Sequence, residues 1–350
     1  MKSIGAFGKF VFFLNSIAAV LLLLTFALPY ISPENFPTVS ILSLLVSPLL
    51  FANVIFVVYW IIRMRKKFML SAVIIVLAFL QFNSFYKFSS DAISEENYKH
   101  TLKVLSYNVH LFNSYHFKDF DASEKKFNEI VKAYQPDILS LQEYSDADDP
   151  KIVGYPYKYV HFKTKAVRNG VNLKYYLGHA IYSKYPIINK GAFDFENAIN
   201  NTLFVDIVKD KDTVRVYNLH LKSFGISPSI SKLQEGDKKK LLGRMSQSFK
   251  DQAIQVSAIL DHKNKSNYPS IITGDFNNTA FSYVYNELTE DMNDAYIEQG
   301  SGLGTTYSFD GFPFRIDFIL AEKYFDILSF TTIKETFSDH HPILSTLGWN

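Results

Sequence analysis

The sequence predicts a layered α/β domain carried behind three membrane-spanning helices. Three observations lead there. Long charge-free apolar runs are confined to the first 90 residues. Short β-rich runs alternate with helical patterns from about residue 101 onward. Acidic, amide and imidazole side chains recur at the ends of those β-rich runs. A chain of 350 residues has room for one large domain and an appendage.

The apolar runs come first in the chain. Residues 10–30, "FVFFLNSIAAVLLLLTFALPY", residues 38–62, "TVSILSLLVSPLLFANVIFVVYWII", and residues 68–86, "FMLSAVIIVLAFLQFNSFY", hold no charged side chain. Runs of that length reach across a bilayer core. The first has a basic start but no clear small-x-small cleavage site after it, which argues against a cleaved signal peptide. Pro48 within the second run is tolerable where neighbouring helices compensate. Basic residues favour the cytoplasmic side. Lys2 and Lys9 precede the first span, no Lys or Arg lies between the first two, and "RMRKK" (63–67) separates the second from the third. The path is therefore in-out-in-out, and the expectation is a multi-pass protein of the cell membrane with its C-terminal domain outside the cytoplasm. Residues 1–90 carry seven Lys/Arg and the single acid Glu34, so of the totals of 36 and 34, 29 basic and 33 acidic residues remain behind them. The overall +2 is thus +6 in front and −4 behind. The chain has no cysteine, which excludes disulfides and thiol chemistry. Residues 91–100 read as a tether, and 101–350 as the soluble domain.

In that domain "TLKVLSYNVHLF" reads as a strand. "ASEKKFNEIVKAYQPD" has helical spacing of Phe127, Ile130, Val131 and Tyr134 and is ended by Pro136. "DILSLQE", "GHAIYSKYPI", "TLFVDIVK" and "TVRVYNLHL" read as strands. "LLGRMSQSFKDQAIQVSAILDHK" reads as a helix with apolar residues at 245, 249, 253, 256, 259 and 260. "PSIITGDFN", "RIDFILAE" and "HPILSTLGW" close the domain as strands. The alternation is that of an α/β layered domain.

Polar residues stand where these buried runs end or are interrupted: Asn108, Glu143, His220, Asp275, Asn277, Asp317, Asp339 and His340. A buried polar group needs a partner or a task. One such residue is an ordinary turn former; a set this large and this uniform in type points to metal-assisted phosphoester hydrolysis. A hard divalent ion takes carboxylate oxygens and neutralises phosphoryl charge. A histidine held by a carboxylate can take a proton from water near neutral pH. Side-chain donors such as Asn and His bind the non-bridging oxygens. No H-E-x-x-H and no G-x-x-x-x-G-K-[ST] occurs, which speaks against zinc peptidase and P-loop chemistry.

The ordered set "SYNVH", "LQE", "YNLHL", "GDFN", "RIDFIL" and "SDHHP" resembles the endonuclease/exonuclease/phosphatase superfamily over roughly residues 101–349. The resemblance implies a four-layer α/β/β/α sandwich and a metal-dependent phosphoester hydrolase, in particular a phosphodiesterase. It implies Glu143 as principal ligand of Mg²⁺ (Mn²⁺ or Ca²⁺ as alternatives), with Asn108 beside it and Asp339 as second acidic contributor. It makes His340 the general base or phosphate-contacting histidine and Asp317 its orienting carboxylate. It makes Asp275 and Asn277 the pair that positions the nucleophile and grips phosphate, and His220 a phosphate contact. Abasic-site endonucleases of the superfamily carry an acid where His110 stands and Tyr where His220 stands, so the resemblance points away from that branch. His341 is expected to face away; His116, His161 and His179 are expected at the surface or in packing.

The −4 balance of the second part lacks the basic footprint of a nucleic-acid binder. "KTKAVRNGVNLK" (163–174) and "KKKLLGR" (238–244) are read as solvated faces, and "KSFGISPSISKLQEG" (222–236) holds only sparse apolar residues for a bilayer. The expected partners are the lipid bilayer, through the three helices, and a phosphoester: nucleic acid, phospholipid headgroup or small molecule. No obligate protein partner is inferred. The alternative is a catalytically inactive member acting as a binding or sensor module.

Overall fold

The computed structural model describes residues 5–82, 85–88, 93–113, 120–145, 150–168, 171–196, 200–226 and 237–350, with the backbone alone for 163–176. His116, most of the 222–236 loop and the side chains of the 163–174 basic stretch lie outside the described residues.

Four helices form the N-terminal unit: α1 (Ala6–Thr25), a short α2 (Pro37–Ser40), α3 (Val46–Ile62) and α4 (Phe68–Gln81). Two stretches are long and apolar enough to cross a bilayer, Ala6–Tyr30 and Pro37–Ile62. The third expected span falls short: α4 has 14 residues, a rise of about 21 Å against a hydrocarbon core of about 30 Å. Pro48 sits in the first turn of α3, behind the tighter 3₁₀ stretch Ile41–Leu45, where the missing N–H removes little. A buried polar chain ties α1, α3 and α4 together. Trp60 Nε1 donates to Asn15 Oδ1 (2.9 Å), Asn15 Nδ2 donates to Ser71 Oγ, and Ser71 Oγ donates to Asn53 Oδ1 (2.7 Å). Around it the outer faces stay apolar and exposed, with Phe7, Phe10, Leu24, Phe51 and Leu80 among them.

The rest is a sandwich. The first six-stranded sheet runs in the order β13 (Asp326–Thr332), β14 (Ile343–Trp349), β1 (His100–Asn108), β2 (Ile138–Ser145), β4 (Val171–Ser183) and β3 (Tyr157–Arg168). The second runs β5 (Ile187–Phe193), β6 (Thr202–Lys209), β7 (Asp212–His220), β8 (Ser270–Asp275), β12 (Asp317–Glu322) and β9 (Met292–Asp294). A hairpin of β10 (Tyr307–Phe309) and β11 (Phe312–Phe314) stands apart. Each sheet has one parallel pair, β1 with β2 and β7 with β8. The crossovers contain α5 (Phe120–Tyr134) and α6 (Lys238–Lys263), as parallel neighbours require. Two short helices follow, α7 (Tyr283–Thr289) and α8 (Ala295–Gln299).

The layers follow from the apolar faces. Val104, Ile138 and Ile181 of the first sheet meet Val205, Val216, Ile271 and Ile319 of the second in the inter-sheet core. Phe127, Ile130 and Val131 of α5 cover Leu105, Leu139 and Leu141. Ala253, Val256 and Ile259 of α6 cover Leu219, Ile272 and Phe318. The apolar spacing of "FNEIVKAY" and "MSQSFKDQAIQVSAIL" therefore marks the two faces that are buried. Asp237 caps α6 by accepting from the N–H groups of Lys239 and Lys240. α5 ends at Tyr134, ahead of Pro136, because the residue before a proline is pushed out of the helical region.

The expected first strand is shorter than its sequence suggests. β1 stops at Asn108, and His110, Leu111, Phe112 and Asn113 all have positive φ, from 43° to 56°. That left-handed run follows directly on the strand end.

Candidate active site

The carboxyl ends of β1, β2, β7 and β8 open on one mouth, because both parallel pairs point the same way across the sandwich. β12 begins there and β14 enters there, each antiparallel to its neighbour. Asn108 closes β1, Glu143 lies near the end of β2, and His220 and Asp275 close β7 and β8. Asp317 opens β12, and Asp339 and His340 precede β14.

Asp275 is the hub. Its Oδ2 accepts from Asn108 Nδ2 (3.1 Å) and faces His220 Nε2 at 3.5 Å and His340 Nε2 at 3.7 Å. Its Oδ1 accepts from the Asn277 N–H (2.7 Å). Asp317 pairs with Asp275 across the β8–β12 ladder, and both its carboxylate oxygens lie near His340 Nδ1, at 2.9 and 3.1 Å. Asn108 Nδ2 also donates to Glu143 Oε1 (3.2 Å). Six of the eight expected residues thus meet through their side chains, and Asp339 joins them through His110. Asn277 joins by its backbone only, since its side-chain amide donates to the Leu221 carbonyl (3.0 Å).

Two backbone features aim these groups. In the β2–β4 ladder the register slips between Leu141 and Tyr144, leaving an extra residue on β2, and Glu143 has φ 48°. A bulge of this kind turns a side chain out of the pleat, and a non-glycine residue held at positive φ is strained. Gly274 has φ 133°, and a Cβ there would lie 1.9 Å from the Leu219 carbonyl oxygen. Only glycine allows β8 to approach β7 so closely just before Asp275.

Burial sets the charges. It pushes Asp275 up, to about 7, with Asp317 adding to the effect and His340 opposing it. Burial works against a charged His340, but Asp317 and Asp275 outweigh it and raise the imidazole to about 10. Burial lowers His220 to about 4. It would raise Asp339 too, yet His110 and His340 hold that carboxylate at about 2. Asp339 itself raises His110.

Three neighbours stand outside the expected set. His110 Nδ1 lies 3.3 Å from Asp339 Oδ1 and 3.8 Å from Glu143 Oε2. Its two-residue phase with Asn108 was a usable signal, although the left-handed turn, and not strand alternation, brings it there. Tyr307 lies beside His340, its ring tilted by 45° with centroids 4.9 Å apart, on a hairpin too short to show a period. His179 is buried with its ring perpendicular to His220 at 5.2 Å, and its Nδ1 has no hydrogen-bond partner among the described residues. His341 faces away, as expected, toward the Ile333 carbonyl, and His161 pairs with Asp194 (2.9 Å).

Glu143 and Asp339 are a third to two-fifths exposed, at 33% and 42% of their side chains, whereas Asp275 and Asp317 are at 1% and 2%. Asp275, Asp317 and His340 bring ligand atoms within 4.8 Å of one another. Within that group His340 Nδ1 is already taken by the Asp317 carboxylate. Hard oxygen donors open to solvent suit a divalent cation, and the donors so placed are Glu143 and Asp339.

A family model described as "Endonuclease/Exonuclease/phosphatase family" matches residues 105–340. The chain belongs to that family, whose members are phosphoester hydrolases. A second model, a domain of unknown function, matches residues 8–85. Solved structures share the fold at low identity. An endonuclease/exonuclease/phosphatase from Beutenbergia cavernae is 18% identical, with 72% of each chain covered and a TM-score of 0.54. The human Nocturnin catalytic domain with bound sulfate is 17% identical, with 74% of this chain and 97% of that one covered and a TM-score of 0.54. A mannosyl-6-phosphatase from Bacteroides thetaiotaomicron is 18% identical, with 71% and 100% covered and a TM-score of 0.52. No curated protein matches the chain.

Proposed function

We propose that the protein is a membrane-anchored, divalent-cation-dependent phosphodiesterase. The observation that carries this is the convergence of four carboxylates, Glu143, Asp275, Asp317 and Asp339, with His220 and His340 at one mouth. Glu143 and Asp339 would hold Mg²⁺, with Asn108 fixing Glu143. The bound ion supplies neutralisation of phosphoryl charge. Asp317 holds His340 protonated, so His340 donates to a non-bridging phosphate oxygen instead of taking a proton. Asp275, raised toward neutrality by burial, takes the proton from the attacking water. The water oxygen forms the new P–O bond, the ester P–O bond breaks, and the departing alkoxide takes a proton from solvent water at the mouth while Asp275 returns its own to solvent. Asn108 and the Asn277 N–H orient Asp275. His220, kept neutral, donates a single hydrogen bond at the mouth.

Purified full-length protein is assayed with Mg²⁺ or Mn²⁺ against bis(p-nitrophenyl) phosphate, plasmid DNA, RNA, sphingomyelin and inositol phosphates. Cation-dependent turnover, lost with EDTA, is expected. Failure on every substrate, with the protein folded, would leave the binding-module alternative. The exposed apolar faces of α1, α3 and α4 support anchoring, and with "RMRKK" on the cytoplasmic side a third crossing completed by the α4 run would put the domain outside. A reporter active only outside the cytoplasm, fused after residue 350, tests that orientation; activity of a cytoplasm-only reporter there refutes it.

A further inference from the structure

Where the apolar helices meet the hydrolase domain lies a second, quite different cavity of about 500 Å³, within the range of small-molecule sites. Phe51 and Val54 of α3, Ile75 and Phe79 of α4, and Phe281 and Phe312 of the hydrolase domain line it. The junction is built, not incidental. Phe281 packs with Leu22, Leu50, Ala78 and Phe82 in the helical core. Thr279 Oγ1 donates to the Ser43 carbonyl (3.3 Å), and Lys87 bridges Gly302. Phe51 meets Phe312 edge to face at 6.3 Å.

The cavity and the catalytic mouth are the two ends of the same short segments. "GDFNNTAF" runs from Asp275 to Thr279 and Phe281. Four residues of fully extended chain span at most about 14 Å, so Thr279 at the cavity lies within that distance of Asp275. The β10–β11 hairpin repeats the arrangement, with Tyr307 against His340 and Phe312 in the cavity wall. The lining residues Phe51, Val54 and Phe79 are also 58%, 45% and 41% exposed, in continuity with the apolar outer faces of α3 and α4. A cavity opening beside such faces meets hydrocarbon when the helices are inserted.

We propose that this cavity binds a hydrocarbon chain of a membrane phospholipid whose phosphodiester occupies the catalytic mouth, making the substrate a lipid phosphodiester of the surrounding bilayer. This rests on the hydrolase reading and on insertion of the helices. One amphiphile satisfies both places: its phosphate among the carboxylates and imidazoles, its chain among phenylalanines a short reach away.

Full-length protein in lipid nanodiscs is given two p-nitrophenyl phosphodiesters that differ only in the second alcohol, hexadecyl or methyl. Wild type is expected to prefer the hexadecyl ester by about tenfold or more in kcat/KM, since each buried methylene contributes. Val54→Trp, which fills the cavity, is expected to abolish the preference while methyl-ester turnover stays within about twofold. Equal turnover of the two esters by wild type, or a preference that survives Val54→Trp, overturns the proposal. No turnover of either ester instead counts against the hydrolase reading. Binding is then read directly, with phosphatidylcholine carrying a mid-chain diazirine, photolysed in the nanodisc. Label on Phe281 and Phe312 is expected. Label confined to outward residues such as Phe7, Leu24 and Leu80 overturns the proposal without reference to activity.

Discussion

The two sheets are wired alike and finish differently. In each, a parallel pair joined by a helix-bearing crossover (β1–α5–β2, β7–α6–β8) is flanked by antiparallel neighbours, β14 and β4 in one, β6 and β12 in the other. Corresponding strand ends deliver Asn108 and Glu143 from the first sheet, His220 and Asp275 from the second. Yet the Glu143 side chain is 33% exposed and that of Asp275 1%. The bulge in β2 turns Glu143 out to water; glycine at 274 draws Asp275 in against β7. The same topology thus yields an open carboxylate rim, able to exchange water for a cation, and a closed one, whose proton affinities are set by burial and by fixed neighbours. Phosphoester hydrolysis needs both, and neither half holds both.

The largest expected effect separates the two rims. Glu143→Gln keeps the size and removes the charge on the open side, and should lower turnover of bis(p-nitrophenyl) phosphate by about 10³-fold or more, beyond the cost of losing one oriented donor. The fold should survive, because the side chain is partly exposed. Mg²⁺ at about one hundred times its Kd should raise wild-type stability by about 2.7 kcal/mol, and this gain should vanish in Glu143→Gln. Should Glu143→Gln keep the Mg²⁺-dependent rise in Tm while Asp275→Asn loses it, the rims would have to exchange roles.

Next in size is the unit on the closed side. Asp317 orients His340 through Nδ1 and keeps it charged. Asp317→Asn should cost roughly 10²-fold in kcat/KM, the scale of a positioned acid–base or phosphate-contacting group. Residues that act as one lose activity non-additively. The double variant Asp317→Asn/His340→Ala should therefore be little slower than His340→Ala alone. Losses that multiply would show that the two act independently.

The difference between the rims also explains what was legible beforehand. Chain order and residue type sufficed for the layers and for six converging side chains, because amphipathic spacing and strand ends are local signals. The depth of each side chain was not local. Glu143 and Asp275 both follow buried runs, and only the β2 bulge, paired to β4 some 40 residues on, tells them apart. His110 escaped because its position depends on four consecutive left-handed residues without a glycine. Tyr307 sits on a three-residue strand. His179 looked like packing, which it is, but the packing is against His220. Of the two roles expected for His340, the proposed mechanism keeps the phosphate contact for the same reason: two buried carboxylates, brought together by β8 and β12 pairing, raise its imidazole. The third span was overestimated because "QFNSFY" continues the apolar composition of α4 after the helix has ended at Gln81.

The smallest expected effect probes the closed wall without touching its carboxylates. Burial holds His179 neutral well below the 6.5 of a free imidazole. A depressed pKa contributes stability that is present above the unfolded value and is lost as pH falls below it, because the unfolded chain takes up a proton the folded one refuses. The raised Asp275 acts in the opposite sense, since the folded state binds its proton more tightly as pH falls from about 7 toward 3.8. The stability profile of the wild type therefore mixes the two, and the informative quantity is a difference. His179→Phe keeps an aromatic ring edge-on to His220 and cannot titrate. Relative to wild type, it should gain stability between pH 8 and pH 5, the range in which an unfolded imidazole takes up its proton. Urea midpoints for the two proteins in EDTA, measured at both pH values, provide the test. Parallel shifts would mean that water reaches His179 in the folded state, and the closed side would then be as open as the side of Glu143.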